Sequence, residues 1–199
     1  MTSSRLEAFS DGVLAIIITI MVLELEVPHG VHLNDVRPLL PVFLAYVLSF
    51  VNLGIYWNNH HHMLSTVERV NGRILWANLH LLFWLSLFPF VTAWMGENDF
   101  ASLPVTAYGA ASLLAAIAYY VLQQSIISDQ GADSRLAAAV GRDAKGKASP
   151  VLYLAGILLS YPARWAALAC YVIVALMWLI PDRRIETDYQ QRRQIDTAP

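Results

Sequence analysis

The amino-acid sequence predicts an all-α integral membrane protein that crosses the bilayer six times. Three observations lead to this fold class: an apolar composition, six long apolar stretches, and an uneven distribution of basic residues among the connecting segments. Of the 199 residues, 57% are hydrophobic and 14% are charged, whereas about 25% of the residues of a soluble domain are charged. The net charge of −2 argues against nucleic-acid binding, and the single cysteine excludes an intrachain disulfide.

Each of the six apolar stretches approaches the roughly 20 residues that a helix needs to span a bilayer. In chain order they cover residues 9–25, 39–56, 74–95, 105–122, 151–161 and 163–180. The fifth stretch is short, and only Pro162 separates it from the sixth, so these two predict a helical hairpin with a tight turn. The first stretch contains Asp11 and lacks a small-residue cleavage site, so we expect it to remain as a transmembrane helix rather than to be removed as a signal peptide.

The Lys and Arg residues predict the orientation in the membrane. With six spans and a cytoplasmic N-terminus, 11 of the 13 basic residues lie in cytoplasmic segments, and only Arg37 and Arg164 lie outside. Cytoplasmic loops carry such an excess of basic residues. We therefore expect both termini in the cytoplasm and a multi-pass location in the cell's inner (plasma) membrane. The predicted organisation is a six-helix transmembrane unit over residues 1–181 and a polar cytoplasmic tail over residues 182–199.

Motifs for enzyme chemistry are absent: the sequence has no Gly-rich phosphate loop, no nucleophile elbow and no HExxH zinc motif. His60, His61 and His62 form a triplet, but neighbouring residues on a helix point about 100° apart, so the three cannot share one ligand face. We therefore expect no enzyme, no metal site and no cofactor. The triplet is interpreted as an interfacial cluster at the inner end of the second transmembrane helix.

Asp11 is an ionisable residue inside the first apolar stretch, where a charge is costly and marks either an ion path or a packing contact. On a helix, Asp11 and Ile16 are five residues apart and point roughly 140° away from each other. If Ile16 faces a pore, Asp11 therefore faces the other helices of the bundle. The candidate partners are polar or aromatic side chains of the second and third spans: Trp57, Asn59, His60, His61 and Asn78.

An apolar stripe follows on the same helix. Ile16, Ile20 and Leu23 are spaced by four and three residues, which places them on one helical face, and Thr19 lies beside them. In most membrane helices such a stripe only packs against lipid or against other helices. A pore-lining role gains support here from the motif that precedes the stripe.

That motif resembles a known family. Residues 5–11 read RLEAFSD, which matches the RxxxFSD pattern of the transmembrane protein 175 family of potassium channels, and the similarity continues through residues 12–16 and 23–25. A second block, at residues 56–61, 73–79 and 88–90, is similar to the bacterial members of that family. These motifs cover about the first half of the chain, whereas the last two helices match only in hydropathy and length.

The resemblance implies a homotetramer in which the first helix of each six-helix subunit lines a central pore. The family lacks the TVGYG carbonyl filter of other potassium channels, and this sequence contains no such run. In the family, apolar side chains of the first helix form the constriction instead. Carried over by position, these residues are Ile16, Ile20 and Leu23, with Thr19 in the same zone. The implied partners are further copies of the chain, membrane lipid and permeant potassium ions.

The resemblance also implies a packing network between the RxxxFSD motif and the second and third helices. By position, the network is predicted to contain eight residues: Arg5, Phe9, Ser10, Asp11, Trp57, His60, His61 and Asn78. Glu24 and Glu26 follow the first helix, and two interpretations remain open for them. They either concentrate cations at the outer mouth of a pore or form a solvated helix end.

The leading functional hypothesis is a potassium channel with modest selectivity over sodium and a hydrophobic constriction that acts as filter or gate. Two alternatives remain open at this stage. One is a cation-coupled secondary transporter with Asp11 or His80 as its coupling site, although no clear inverted repeat supports it. The other is a membrane scaffold that transports nothing, in which the stripe serves only for packing.

Overall fold

The computed structural model describes residues 2–67, 69–131, 134, 136–137 and 144–179. These residues form α-helices and connecting loops, with no β-strand among them. The helices whose two ends are both described are α1 (Ser3–Leu23), α2 (Leu33–Val36), α3 (Leu40–Leu64), α4 (Gly72–Ser86), α5 (Phe88–Glu97), α6 (Ser102–Gln130), α7 (Ala144–Leu159) and α8 (Arg164–Leu179). A 3-10 turn at Arg37–Leu39 joins α2 to α3. The predicted tail at residues 182–199 lies outside the described residues.

Four helical segments are long and apolar enough to cross a bilayer: Ser3–Leu23, Leu33–Leu64, Gly72–Glu97 and Ser102–Gln130. They contain most of the first four predicted spans. The predicted hairpin is also present, since α7 and α8 are connected by a short turn in which the Ala163 N–H donates to the Leu159 carbonyl at 2.8 Å. An all-helical multi-pass fold is therefore confirmed, with two shorter helices in the place of the fifth and sixth predicted spans.

The third span is divided into two helices rather than being one. Leu87 separates α4 from α5, and its N–H bonds to the Trp84 carbonyl, only three residues back, at 3.3 Å. Pro89 lies in the first turn of α5, where its missing N–H costs no helical hydrogen bond. The sequence FPF thus marks the junction between the two helices of this span.

The longest helix, α6, is the centre of the bundle and packs against α4, α5, α7 and α8. Tyr171 of α8 fits between two glycines, Gly109 on α6 and Gly156 on α7. A Cβ atom at Gly109 would lie 2.0 Å from the Tyr171 hydroxyl, and one at Gly156 would lie 2.3 Å from its ring. The hydroxyl donates to the Val105 carbonyl at 3.2 Å. Small residues at both positions therefore allow the hairpin to approach α6 closely.

Candidate functional site

The first helix, α1, has one buried face and one exposed face. The buried residues recur every three or four positions and pack toward α3, α4 and α5: Leu6, Ser10, Leu14, Ile17 and Met21. Ile16, Ile20 and Leu23 lie on the other side and are 59%, 41% and 81% exposed. The predicted apolar stripe therefore has no covering partner within the described part of its own subunit.

Thr19 is exposed on the same side of α1. Its hydroxyl donates to the Ile16 carbonyl at 2.9 Å, so the proton is used within the helix. The oxygen keeps acceptor capacity and points its partial negative charge outward from a surface that is otherwise apolar.

A buried chain of polar side chains connects α1 with α4 and α3. The Asn78 amide nitrogen donates to the Ser10 hydroxyl at 3.0 Å, and the Ser10 hydroxyl donates to the Leu6 carbonyl at 2.8 Å. His60 Nε2 lies 2.6 Å from the Asn78 amide oxygen. Since that oxygen accepts, His60 Nε2 carries the proton. Ser10, Asn78 and His60 are all at most 1% exposed, so this chain specifies how α1 is rotated against its neighbours.

A second set of contacts lies nearer the surface, between α1 and α3. Trp57 Nε1 donates to the Asp11 carboxylate at 3.0 Å. The ring of Trp57 stacks on His61 with a centroid distance of 6.3 Å, and His61 Nδ1 contacts the carboxylate of Glu7. Asp11 thus faces α3, in the direction opposite to Ile16, as the helical angle requires.

Glu7 was missed by the sequence reasoning. The signal was present, because Glu7 lies four residues before Asp11 and therefore on the same face of α1. Asp11 and Glu7 contact Trp57 and His61, which are also four residues apart, so one turn of α1 matches one turn of α3.

The structure does not bring Arg5 and Phe9 into this network. Both are exposed, Phe9 by 51%, and no hydrogen bond joins Arg5 to another described residue. The reason is helical periodicity: Phe9 lies seven residues, about two turns, before Ile16 and so belongs to the exposed side. The RxxxFSD motif therefore serves two faces, with Ser10 and Asp11 inside the subunit and Arg5 and Phe9 outside.

The acidic residues after α1 are both in exposed or partly exposed loop positions. Glu24 caps the C-terminal end of α1, where the helix dipole is negative. Glu26 follows two residues later and is also exposed. A carboxylate at this end does not stabilise the helix, and it adds to a negative potential that attracts cations.

Within the described residues, no group of three or more His, Cys, Asp and Glu side chains is arranged to hold a metal ion. What the chain offers instead is a rigidly anchored helix with an uncovered apolar face and an acidic end. Such a face is suited to contact with lipid, with another subunit or with a pore.

Comparison with known proteins identifies relatives of this chain. Residues 5–89 match the family described as endosomal/lysosomal potassium channel TMEM175. A protein from Chryseobacterium sp. that is named a potassium channel is 54% identical over 96% of this chain and 100% of its own length. A protein from Chamaesiphon minutus with the same naming is 32% identical over 89% of this chain and 94% of its own length.

The fold is similar to a crystal structure described as that of a lysosomal potassium-selective channel TMEM175 homolog from Chamaesiphon minutus. The TM-score is 0.75 at 29% sequence identity, and the match covers 89% of this chain and 96% of that one. A Gallus gallus relative, named an endosomal/lysosomal proton channel TMEM175, matches over 35% of this chain at 36% identity. Because the Chryseobacterium match spans both proteins almost completely, the chain belongs to the TMEM175 family of potassium channels, and it is not an enzyme.

Proposed function

We propose that this protein is a homotetrameric potassium channel in which α1 of each subunit lines a central pore. The observation that carries this proposal is the division of α1 into two faces. Ser10 and Asp11 anchor one face to α3 and α4 through hydrogen bonds, while Ile16, Ile20 and Leu23 remain uncovered on the other. Two relatives named potassium channels support the choice of ion.

The proposed constriction works by dehydration. Four copies of Ile16 around a symmetry axis form a narrow apolar ring, which can gate by dewetting. An ion crosses it only after losing part of its hydration shell, and potassium releases water more readily than sodium. Because no ring of carbonyl oxygens replaces the lost water, the expected selectivity is modest. Ile20, Leu23 and Thr19 extend the same lining by one to two turns, and Glu24 and Glu26 supply negative charge at its outer end.

The coupled-transporter alternative receives less support from the geometry. It requires Asp11 or His80 at a coupling site, and both side chains are engaged elsewhere. Asp11 accepts from Trp57 on α3, and His80 Nε2 accepts from Trp84 Nε1 on its own helix at 2.9 Å. Neither side chain lies on the exposed apolar face of α1.

We also propose six spans per subunit, with residues 1–181 as the transmembrane unit, both termini cytoplasmic, and residence in the plasma membrane. Helices α7 and α8 have 16 residues each, which corresponds to roughly 24 Å at about 1.5 Å per residue. That is somewhat less than the roughly 30 Å hydrocarbon core. Close packing of the hairpin along α6 supports a full crossing.

The proposal is tested by ion flux into liposomes that contain the purified protein, with potassium, sodium and proton gradients applied separately. We expect a potassium current that exceeds the sodium current, does not saturate as a carrier would, and persists with a protonophore present. Chemical cross-linking before purification should give a species of about four chains. A sodium-coupled or proton-coupled flux would favour the transporter, and no flux for any cation would favour the scaffold.

Ile16→Asn is the decisive variant. An amide in each subunit should hydrate the ring, so we expect higher conductance and a lower potassium preference. Val22→Asn is the matched control, since Val22 is 45% exposed on the same helix but lies about 120° from Ile16. If Ile16→Asn and Val22→Asn both conduct like the wild type, Ile16 is not part of the constriction.

A further inference from the structure

A cavity of about 360 Å³ lies between α3, α6, α7 and α8, apart from the exposed face of α1. Its volume is at the lower end of the range of roughly 300–1,000 Å³ that is typical of small-molecule sites. All of its lining residues belong to one end of the bundle, near the C-terminal halves of α3, α6 and α8 and the start of α7. Under the proposed orientation, this end lies in the cytoplasmic leaflet.

Hydrogen bonds hold the walls of the cavity together on two sides. The Tyr119 hydroxyl on α6 donates to the Asn59 carbonyl on α3 at 3.3 Å. Trp178 Nε1 on α8 donates to the Ser149 hydroxyl on α7 at 2.8 Å. Because the four helices are tied in pairs around the space, the cavity is a built feature of the fold.

Three polar side chains face this space without a partner among the described residues. Gln123 lines the cavity, is 8% exposed, and forms no hydrogen bond with another described residue. Tyr153 lines it from α7, is 3% exposed, and its hydroxyl is likewise unpaired there. The Tyr56 hydroxyl on α3 is the third. These polar groups are open to the cavity and have no hydrogen-bond partner among the described residues, so an occupant that accepts hydrogen bonds would supply the partners that the protein does not.

The charged residues of the lining indicate whether the occupant carries a positive or a negative charge. Among the described residues, the lining contains no Asp or Glu, and its one cationic side chain is Lys147 at the exposed start of α7. Tyrosine hydroxyls, an amide and an ammonium group can all donate to a carboxylate. Because the described lining residues carry no negative charge, the lining favours an anionic group over a cation.

Much of the rest of the lining is apolar, although it also contains Asn52, Asn59 and Ser149, and it reaches the lateral surface of the subunit. Ile117 and Tyr120 on α6 lie at its rim and are 43% and 58% exposed. Ile55, Ala116 and Val174 lie among the other lining residues. A molecule dissolved in the membrane can therefore enter from the side, with its apolar part in the cavity.

We propose that this cavity binds a single-chain organic acid from the membrane, a long-chain carboxylate. Its carboxylate lies within reach of Lys147 or the unpaired donors Gln123, Tyr56 and Tyr153, and its chain fills the apolar part between α3, α6 and α8. The site is separate from the proposed pore, and its occupancy does not depend on which ion the protein conducts.

The test measures binding of radiolabelled dodecanoate to the intact oligomer in phosphatidylcholine nanodiscs, with empty discs as the background. We expect saturable binding that unlabelled dodecanoate displaces. Methyl dodecanoate and dodecyltrimethylammonium have the same chain without the negative charge and should displace it poorly. Equal displacement by the ammonium compound would overturn the assignment of an acid, and displacement by phosphatidylglycerol in the disc would assign the cavity to phospholipid instead.

Variants locate the binding in this cavity. Ala116→Phe fills the space and should weaken binding by at least about tenfold, which corresponds to about 1.4 kcal/mol. Ala169→Phe on the exposed side of α8 is the matched control and should bind like the wild type. Lys147→Gln lies at an exposed position and should weaken binding about two- to fivefold, the range of one partly exposed ion pair.

Gln123→Leu keeps the size of the side chain and removes its amide, so it provides an independent reading if Ala116→Phe does not fold. We expect it to weaken dodecanoate binding while methyl dodecanoate is affected less. Absence of saturable binding to the wild type means that the cavity holds only water, and this overturns the proposal. So does equal binding by Ala116→Phe and Ala169→Phe.

Discussion

Two helix junctions in this subunit are held together by different means. Where α1 meets α3 and α4, polar side chains form a hydrogen-bonded chain from Ser10 through Asn78 to His60. Where the α7–α8 hairpin meets α6, Tyr171 is seated between Gly109 and Gly156 and donates to the Val105 carbonyl, so close approach at two glycines accompanies the hydrogen bonding. Both modes suit a bilayer, in which burying apolar surface between helices gains little over contact with lipid.

The difference shows what each junction specifies. Hydrogen bonds are directional, so the α1 junction determines the rotation of α1 and thereby which face is left uncovered. Glycine contacts determine distance, so the hairpin junction sets how closely α7 and α8 approach α6. The first kind of contact suits a helix whose outward face carries the function, and the second suits helices that support the bundle.

The largest effect is expected from Asn78→Leu, which removes the central member of the polar chain. His60 then loses the acceptor of its buried Nε2–H, at a cost of about 1–3 kcal/mol, whereas Ser10 keeps its bond to the Leu6 carbonyl. We expect a clear loss of thermal stability in detergent together with altered conductance, because the rotation of α1 is no longer specified. Asn58→Leu, at an exposed position of α3, is the control. Equal stability of the two variants would contradict the role given to the chain.

Gly109→Ala and Gly156→Ala test the steric junction. Each added methyl group would overlap Tyr171, which must move, and overpacking of this kind costs about 1–3 kcal/mol. Gly54→Ala is the control, since a Cβ atom there has no neighbour within 4 Å. In thermal unfolding, the melting temperatures of Gly109→Ala and Gly156→Ala should be well below that of Gly54→Ala. We expect ion selectivity to stay near that of the wild type, unlike in Asn78→Leu, and a changed selectivity would break the distinction between the junctions.

Trp57→Phe removes the donor to Asp11 but keeps an aromatic ring over His61. One lost hydrogen bond at a partly exposed site is worth about 0.5–1.5 kcal/mol. The expected loss of stability is therefore smaller than for Asn78→Leu. Trp76→Phe is the matched control, because Trp76 is 73% exposed. A double-mutant cycle with Asp11→Asn measures the coupling energy between Trp57 and Asp11. A value near zero would show that their contact adds nothing to the stability of the subunit.

The smallest effect is expected from Glu24→Gln, which lies at an exposed position outside both junctions and should change only cation conductance. Loss of the carboxylate should reduce cation conductance modestly at low ionic strength. The difference should disappear near 1 M salt, where the screening length falls to about 3 Å. Glu97→Gln at the end of α5 is the control for a general change in surface charge. A reduction that is independent of salt would argue against an electrostatic role for Glu24.

The sequence predicted much of the polar junction because its parts are local. The spacing of Asp11 and Ile16 gave opposite directions on α1, and the structure has Asp11 on Trp57 and Ile16 exposed. The same periodicity would have placed Phe9 on the exposed side and Glu7 beside Asp11. The steric junction was not predicted, because Gly109, Gly156 and Tyr171 form no local motif and meet only when three helices are packed.

By itself, the sequence determined the all-helical membrane class, the first four spans and the hairpin, because hydropathy acts on each segment separately. It also determined which residues of α1 share a face, because the helical repeat is a local property. Only the tertiary structure decided that Asn78 bridges Ser10 and His60, and that four helices enclose a cavity lined by donors that have no partner among the described residues. Those contacts depend on the relative rotation and offset of helices far apart in the chain, and no residue pattern within one helix encodes them.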